Sequence, residues 1–430
     1  FNSTFPINSE MRVTVDYQYS ERNYTRFVGY VGGQFSTKKF QLEMSFYNEN
    51  DLKNQPLQQN LSTAQADILS QAGDDRSLMT APSASPQEFS ENRILYKKEL
   101  VNGQDIFLFS NNPDDDLYQV NFLSVGNQQG DYILVNSSSI SNIYEYIAPI
   151  SGQPQGNYAP IVQLVAPVKL QLAVLNGRYN PSKKTQLDFE LAASRNDLNL
   201  FSNLSDSNND GLAARYDMTH QLLRSLKGWT IDLFSGLDYI HKDFRNIQTL
   251  YNPEFNRDWN LDNPLGNGIA SEMGTQLFAK NAIALSKAEV GQINYAFQYL
   301  NFSKNYSGNR HLLRANLKAD KLEFQTHSSV LKTNSDRISS NFLRSISQLK
   351  YQVGKFWPGV KFSTENNKIV SQIDSQLDSL SQRFSSYEGF LGVGDSTKVF
   401  VKIGYVHRVN DSVQDNRLQR VNQSDTYYLN

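Results

Sequence analysis

The chain contains no cysteine. Disulfides, zinc–thiolate sites and thiol catalysis are thereby excluded, and the redox compartment stays undecided. Long apolar runs are missing too. A membrane-spanning helix needs about 20 consecutive apolar residues, and the best stretch, residues 159–175, is broken by Gln163, Pro167, Lys169 and Gln171. A mean hydropathy of -0.53 and 39% hydrophobic residues are too polar for a helical membrane bundle. The net charge is only -2, with Lys and Arg scattered, so there is no basic footprint and no nucleic-acid partner is expected. Nor is there a nucleophile elbow, a phosphate loop or a dinucleotide fingerprint. The five histidines (His220, His241, His311, His327, His407) fall in no metal-ligand spacing. The text opens at Phe1 without Met or a signal peptide, and begins and ends amid strand-like sequence, as a processed or partial chain would.

What the sequence has is alternation. In residues 185–194, Leu187, Phe189, Leu191 and Ala193 face Gln186, Asp188, Glu190 and Ala192. Period two puts successive side chains on opposite faces of a strand, one apolar and one wet. Residues 169–175 repeat the pattern, and so do 11–19, 27–35, 40–46 and most of 212–407. Aromatic content of 12%, with 23 Tyr and 25 Phe, suits girdles at a membrane interface as well as ordinary strands.

The alternation stops between residues 48 and 92. Ser62 with Gln65 forms a capping-box signature that predicts a short helix closed by Gly73. Residues 94–167 return as short strands, which we read as a small β-rich insertion. Elsewhere short turns alternate with long polar loops at 195–211, 241–274, 303–309, 333–339, 366–383 and from 409 onward. Within the 366–383 loop, Ile369 or Val370, Ile373, Leu377, Leu380 and Phe384 are spaced for an amphipathic helix.

A soluble sandwich also alternates, but with turns every 8–12 residues and similar loops at both ends. Strands of about ten residues or more, with one-sided long loops, point instead to an all-β transmembrane antiparallel β-barrel. About fourteen to sixteen strands are visible, divided into first strands at 1–50, a loop helix and insertion at 51–167, and the main wall at 168–430. Alternation alone does not say which way the apolar face points. The barrel reading implies an outer membrane, lipid around the wall and the long loops outside the cell.

One motif is ligand-like. Asp206, Asn208, Asp210 and Gly211 match D-x-[DN]-x-[DN]-G, whose staggered oxygens wrap calcium, so Asp206, Asn208 and Asp210 are candidate metal ligands and calcium a candidate structural cofactor. Asp217 falls at the twelfth position, but on a strand. The bland alternative is a polar turn. Carboxylates on the wet face (Asp188, Glu190, Asp232, Asp238, Glu323, Glu365) read as a lumen lining interleaved with Lys and Arg, and no catalytic residue is assigned.

Residues 196–202 (NDLNLFS), the 206–211 loop, QGDY at 129–132, QGNY at 155–158 and PEFNRDW at 253–259 resemble a large, mostly uncharacterised outer-membrane β-barrel family of Bacteroidota with an appended β-domain. The resemblance implies a chain longer than this one and carries no catalytic residues.

Two functions follow as expectations. One is a non-enzymatic subunit or partner of an outer-membrane assembly or secretion complex, docking other outer-membrane or surface proteins through its loops and insertion. The other is a porin-like channel or uptake barrel for a polar solute. The mass of loops and insertion favours the first. An outer-membrane enzyme would need a constellation the sequence does not show.

Overall fold

The computed structural model describes residues 2–8, 11–19, 26–52, 61–137, 142–225, 228–248, 250–251, 253–261, 273–394 and 399–430, the first two segments as backbone only. Among these residues seventeen strands form one antiparallel sheet. Asn2–Asn8 (β1), Met11–Tyr19 (β2), Arg26–Ser36 (β3) and Phe40–Asp51 (β4) precede the insertion. Lys169–Ser182 (β5), Thr185–Asp197 (β6), Asp210–Arg224 (β7), Trp229–Ile240 (β8), Gln276–Lys287 (β9) and Gly291–Phe302 (β10) follow it. Tyr306–Ala319 (β11), Leu322–Ser335 (β12), Ile338–Tyr351 (β13) and Phe356–Ser371 (β14) continue the wall. Gln382–Gly394 (β15), Phe400–Gln414 (β16) and Arg417–Leu429 (β17) end it.

Each strand pairs with the next, and β4 pairs with β5 across the insertion, so spatial order is chain order. This is the all-β antiparallel barrel wall that the alternation predicts, one strand above the expected fourteen to sixteen. The extra strand is β1, whose sequence NSTFPIN carries a proline and no apolar period. Among the described residues no ladder joins β1 to β17.

The sheet is strongly curved, and a single helical turn shows it. Phe255–Asp258 (α2) and the two residues after it meet Phe278 on β9, Leu300 on β10, Arg310 on β11, Leu331 on β12, Arg344 on β13 and Asn367 on β14. Six flat strands at about 4.8 Å spacing would stretch some 24 Å, beyond the reach of so short a segment. The face toward α2 is therefore concave, and it is the face of Asp188, Glu190, Arg215, Asp238 and Lys280. The opposite, convex face carries Met44, Leu191, Leu212, Ile283, Tyr295, Val360, Tyr387 and Ile403, all substantially exposed; Leu212 is 61% and Val360 58% accessible. The apolar face points outward. Fifteen strands of 11–16 residues behind such a face match or exceed the 9–11 residues of a tilted β crossing.

Hydroxyls on the convex face are paired with one another. Thr326 meets Ser347, Ser328 meets Ser345 and Thr364 meets Ser385 across adjacent strands at 2.8, 2.7 and 3.4 Å. Polar groups facing an apolar medium must be satisfied internally, and these are.

Several loop expectations are corrected. Strands β10 to β13 and β16 to β17 run on through the segments read as long loops at 303–309, 333–339 and beyond 409, leaving turns of two or three residues. Asn305, Asp415 and Asn416 supply the left-handed backbone these turns need (φ 76°, 48° and 57°). The helix expected within 366–383 does not form. Ile369 and Val370 end β14, Val370 bridges Leu377, and Ser381 bonds both backbone groups of Ile369. Its apolar spacing is a coincidence across a strand end and a loop.

Thr63–Ala72 (α1) forms as the capping box requires, with Ser62 accepting from the Gln65 amide and the Gln65 side chain accepting from the Ser62 amide. Two small four-stranded sheets follow within the insertion. Asn199, fully buried, donates to the carbonyls of Leu69 and Gly73 at 2.7 and 2.6 Å, fastening the insertion to the loop after β6.

Candidate functional site

Period two and antiparallel register carry residues far apart in sequence onto one concave surface. Its two sides differ in charge. On β5 to β9 carboxylates and cations interleave. Asp188 accepts from Arg178 at 2.5 Å and from Gln186 at 2.7 Å. Arg215 lies 2.8 Å from Asp217 and 3.4 Å from Asp238, and Lys280 lies 3.7 and 3.3 Å from the same two carboxylates. Glu43 and Glu190 join Arg178, Asp188, Arg215 and Asp217 around a hollow of about 370 Å³. Such solvated pairs contribute little stability each. The expected interleaved lining is present on this side.

On β11 to β17 the balance shifts. A cavity of about 710 Å³ is lined by Arg310, Arg314, Arg344 and Arg408, with Asp258 and Glu365 as its carboxylates. Register explains the grouping: Arg314 faces His327, Ser329 faces Arg344, Arg344 faces Glu365, and Ser386 faces Arg408. Ser363, Ser424 and Thr426 add hydroxyls to the lining. Asp258 bonds Arg344 at 2.6 Å and Arg310 at 3.4 Å. Glu365 is drawn instead to Arg257 at 3.8 Å. Arg314 contacts only His327, and Arg408 only Asn410 and the Phe384 ring, so neither meets a carboxylate among the described residues.

Asp258 is delivered by the loop between β8 and β9, which folds back onto the concave face. Phe244 packs on Ile240 and Ala192, and Tyr251 stacks on Phe255 at 3.9 Å. Trp259, 2% exposed, meets Phe278 edge-on at 5.6 Å, and its carbonyl accepts from the Tyr306 hydroxyl. Asn260 donates to Ser340 and Asn367 at 2.9 and 2.8 Å. Burial pushes the Tyr251 hydroxyl up to about 12. The sequence marks this loop only as long and polar; PEFNRDW carries a family resemblance, and nothing local shows that its Trp, Phe and Asp point inward.

Asp206 and Asn208 form a short helical turn after β6, and Asp210 opens β7. They are drawn to different neighbours. Asp206 accepts from Asn209 at 3.1 Å, Asn208 bonds Asp74, and Asp210 stands 4.0 Å from Arg195. Asp217 lies on the concave wall with Arg215, away from the turn. The histidines are also dispersed: His220 meets Thr185, His311 meets Tyr295, His327 meets Arg314 and His407 meets Asp425. His241 lies 3.6 Å from Asp243. No group of three or more His, Asp or Glu residues positioned for a metal occurs among the described residues.

No family model matches the chain, and no curated protein does, so the Bacteroidota resemblance gains no support from either comparison. Among solved structures the chain is similar to a bacterial polysaccharide outer-membrane secretin, with 8% identity, a TM-score of 0.29 and coverage of 98% of this chain and 95% of that one. It is also similar to the P pilus usher (PapC) translocation pore, with 8% identity, a TM-score of 0.19 and coverage of 93% and 92%. Scores this low carry no argument about this chain.

Proposed function

We propose that this protein is a non-enzymatic outer-membrane β-barrel that binds and passes a polar solute through its charged interior, the loop between β8 and β9 acting as its constriction. The observation behind this reading is the concave face itself. It is lined by ionised side chains on both sides, holds two hollows, and is crossed by a loop seated through Asp258, Trp259 and Asn260. An outward apolar face of this height suits lipid. The structure also reduces the docking mass that favoured an assembly subunit, since three long loops are tight turns and the loop helix is not there. Conductance of the purified chain in planar bilayers tests the proposal. Small, discrete channels that enlarge when Trp259 is replaced by Ala are expected, and a silent Trp259→Ala variant in membranes would sink it.

A second reading, docking within an assembly or secretion complex, is supported by the insertion. Leu78, Leu100, Leu134 and Val135 stand exposed there. Stoichiometric co-purification of other outer-membrane proteins, lost on removing the insertion, would favour it.

We also propose structural calcium at Asp206, Asn208 and Asp210. Supporting it, one carboxylate oxygen of Asp74 is buried without a partner beside Asn208.

A further inference from the structure

The arginine side of the interior holds more positive charge than it neutralises. Four guanidiniums line one cavity with two carboxylates, one of them turned toward Arg257. The Nε of Arg310 and the Nε and one Nη of Arg344 are buried with no hydrogen-bond partner. Buried donors left unpaired are costly, and guanidinium forks match the oxygens of carboxylates and phosphates. Ser329, Ser363, Ser386, Ser424 and Thr426 stand among them. Arginine supplies donors alone, whereas a hydroxyl both donates and accepts, so the lining as a whole can bond an acid group and neighbouring alcohols.

Asp258 shows how the cavity treats an anion. Its carboxylate, carried in by the loop, bridges Arg310 and Arg344 as an incoming acid would. Arg314 and Arg408 are left without such a partner.

We propose that this cavity is a binding site for a small polyhydroxylated anion of the sugar-phosphate or sugar-acid class, and that Asp258 is a tethered anion with which the solute competes. Arg314 and Arg408 make the first contact with the acid group. Arg344 and Arg310 are shared between it and Asp258. The serine and threonine hydroxyls read the alcohol groups. The inference rests on the solute-passing reading and names the solute class for it.

The test is calorimetric titration of the full chain in detergent with glucose 6-phosphate, gluconate and glucose. Glucose 6-phosphate and gluconate should bind and glucose should not. Because Arg314 and Arg408 take no part in seating the loop, Arg314→Gln with Arg408→Gln should fold normally and weaken both anions by about tenfold or more, the scale of a lost charged hydrogen bond. Asp258→Asn should tighten them, since the competing charge is gone. Equal affinity in the double variant, equal binding of glucose, or no heat at 10 mM anion on the order of a weak-site limit would overturn the assignment. Binding is read without transport, so a site that binds in a barrel that does not conduct would leave this inference standing while the channel reading fails.

Discussion

The two sides of the interior use the same residue types to opposite ends. On β5 to β9, Asp188 with Arg178, and Asp217 and Asp238 with Arg215 and Lys280, form closed networks in which each charge has an opposite neighbour on the next strand. Across β11 to β16 the four cavity arginines stand on three strands, and the carboxylate that bonds two of them comes from a loop. Neutralisation within the wall produces a wet surface that asks nothing of a ligand. Neutralisation by a tethered group produces a surface that can exchange one anion for another.

The sharpest way to break this contrast is to unseat the loop. Trp259→Ala removes a fully buried ring from between Phe278 and Arg310, and should cost about 3–5 kcal/mol, the range for large-to-small core changes. Thermal unfolding in detergent reads the loss, and the arginine side should bind anions more tightly once Asp258 is free.

Matched neutralisations come next. Asp258→Asn leaves Arg310 and Arg344 largely buried without their carboxylate, and about 2–3 kcal/mol should be lost. Asp188→Asn on the other side should cost under about 1 kcal/mol, because that pair is half exposed and screened. Equal costs in urea unfolding would show that the two sides do not differ.

Charge selection is a finer probe. Reversal potentials in a salt gradient should show weak anion preference in the wild type. Arg314→Gln with Arg408→Gln should move the preference toward cations, and Asp188→Asn should move it slightly the other way.

The smallest effect belongs outside the wall, at Asp74. Burial, with Asp197 and Asp206 nearby, raises its carboxyl above the ordinary range. A carboxyl raised in the folded state favours folding when protonated, so stability is highest below its unfolded value and falls as pH climbs through the folded one. Asp74→Asn should therefore raise Tm by about 1–2 °C at neutral pH, with the gain vanishing toward pH 4. Millimolar calcium should give the wild type a rise of similar size that the variant lacks; no calcium effect would dismiss a metal at Asp206, Asn208 and Asp210.

Much of the wall was legible because period two is a local signal. Residues 185–194 and 293–299 show their faces to any reader, and Ser62 with Gln65 announces α1 within four residues. The arginine side was not legible. Arg310, Arg314, Arg344 and Arg408 sit in three unremarkable strands, and only the register between neighbours gathers them. The direction of the apolar face was equally hidden, because alternation is symmetric under inversion and the loop that marks the concave side has no period at all. Polar strand ends misled in the other direction: Lys304-Asn305 and Asp336-Arg337 read as loop, yet the ladders continue to within a residue of them.

That loop also sets an order of events. Phe255 and Trp259 rest on strands as late in the chain as β13 and Asn260 reaches β14, so the last part of their seat does not exist until those strands have paired. A wall that grows hairpin by hairpin is hollow and open for most of its making, and the loop closes it last. Asp258 and Asn260 thus report on completion: a chain stalled after β12 has part of the aromatic seat but lacks Arg344, Ser340 and Asn367, the last moorings of its own gate.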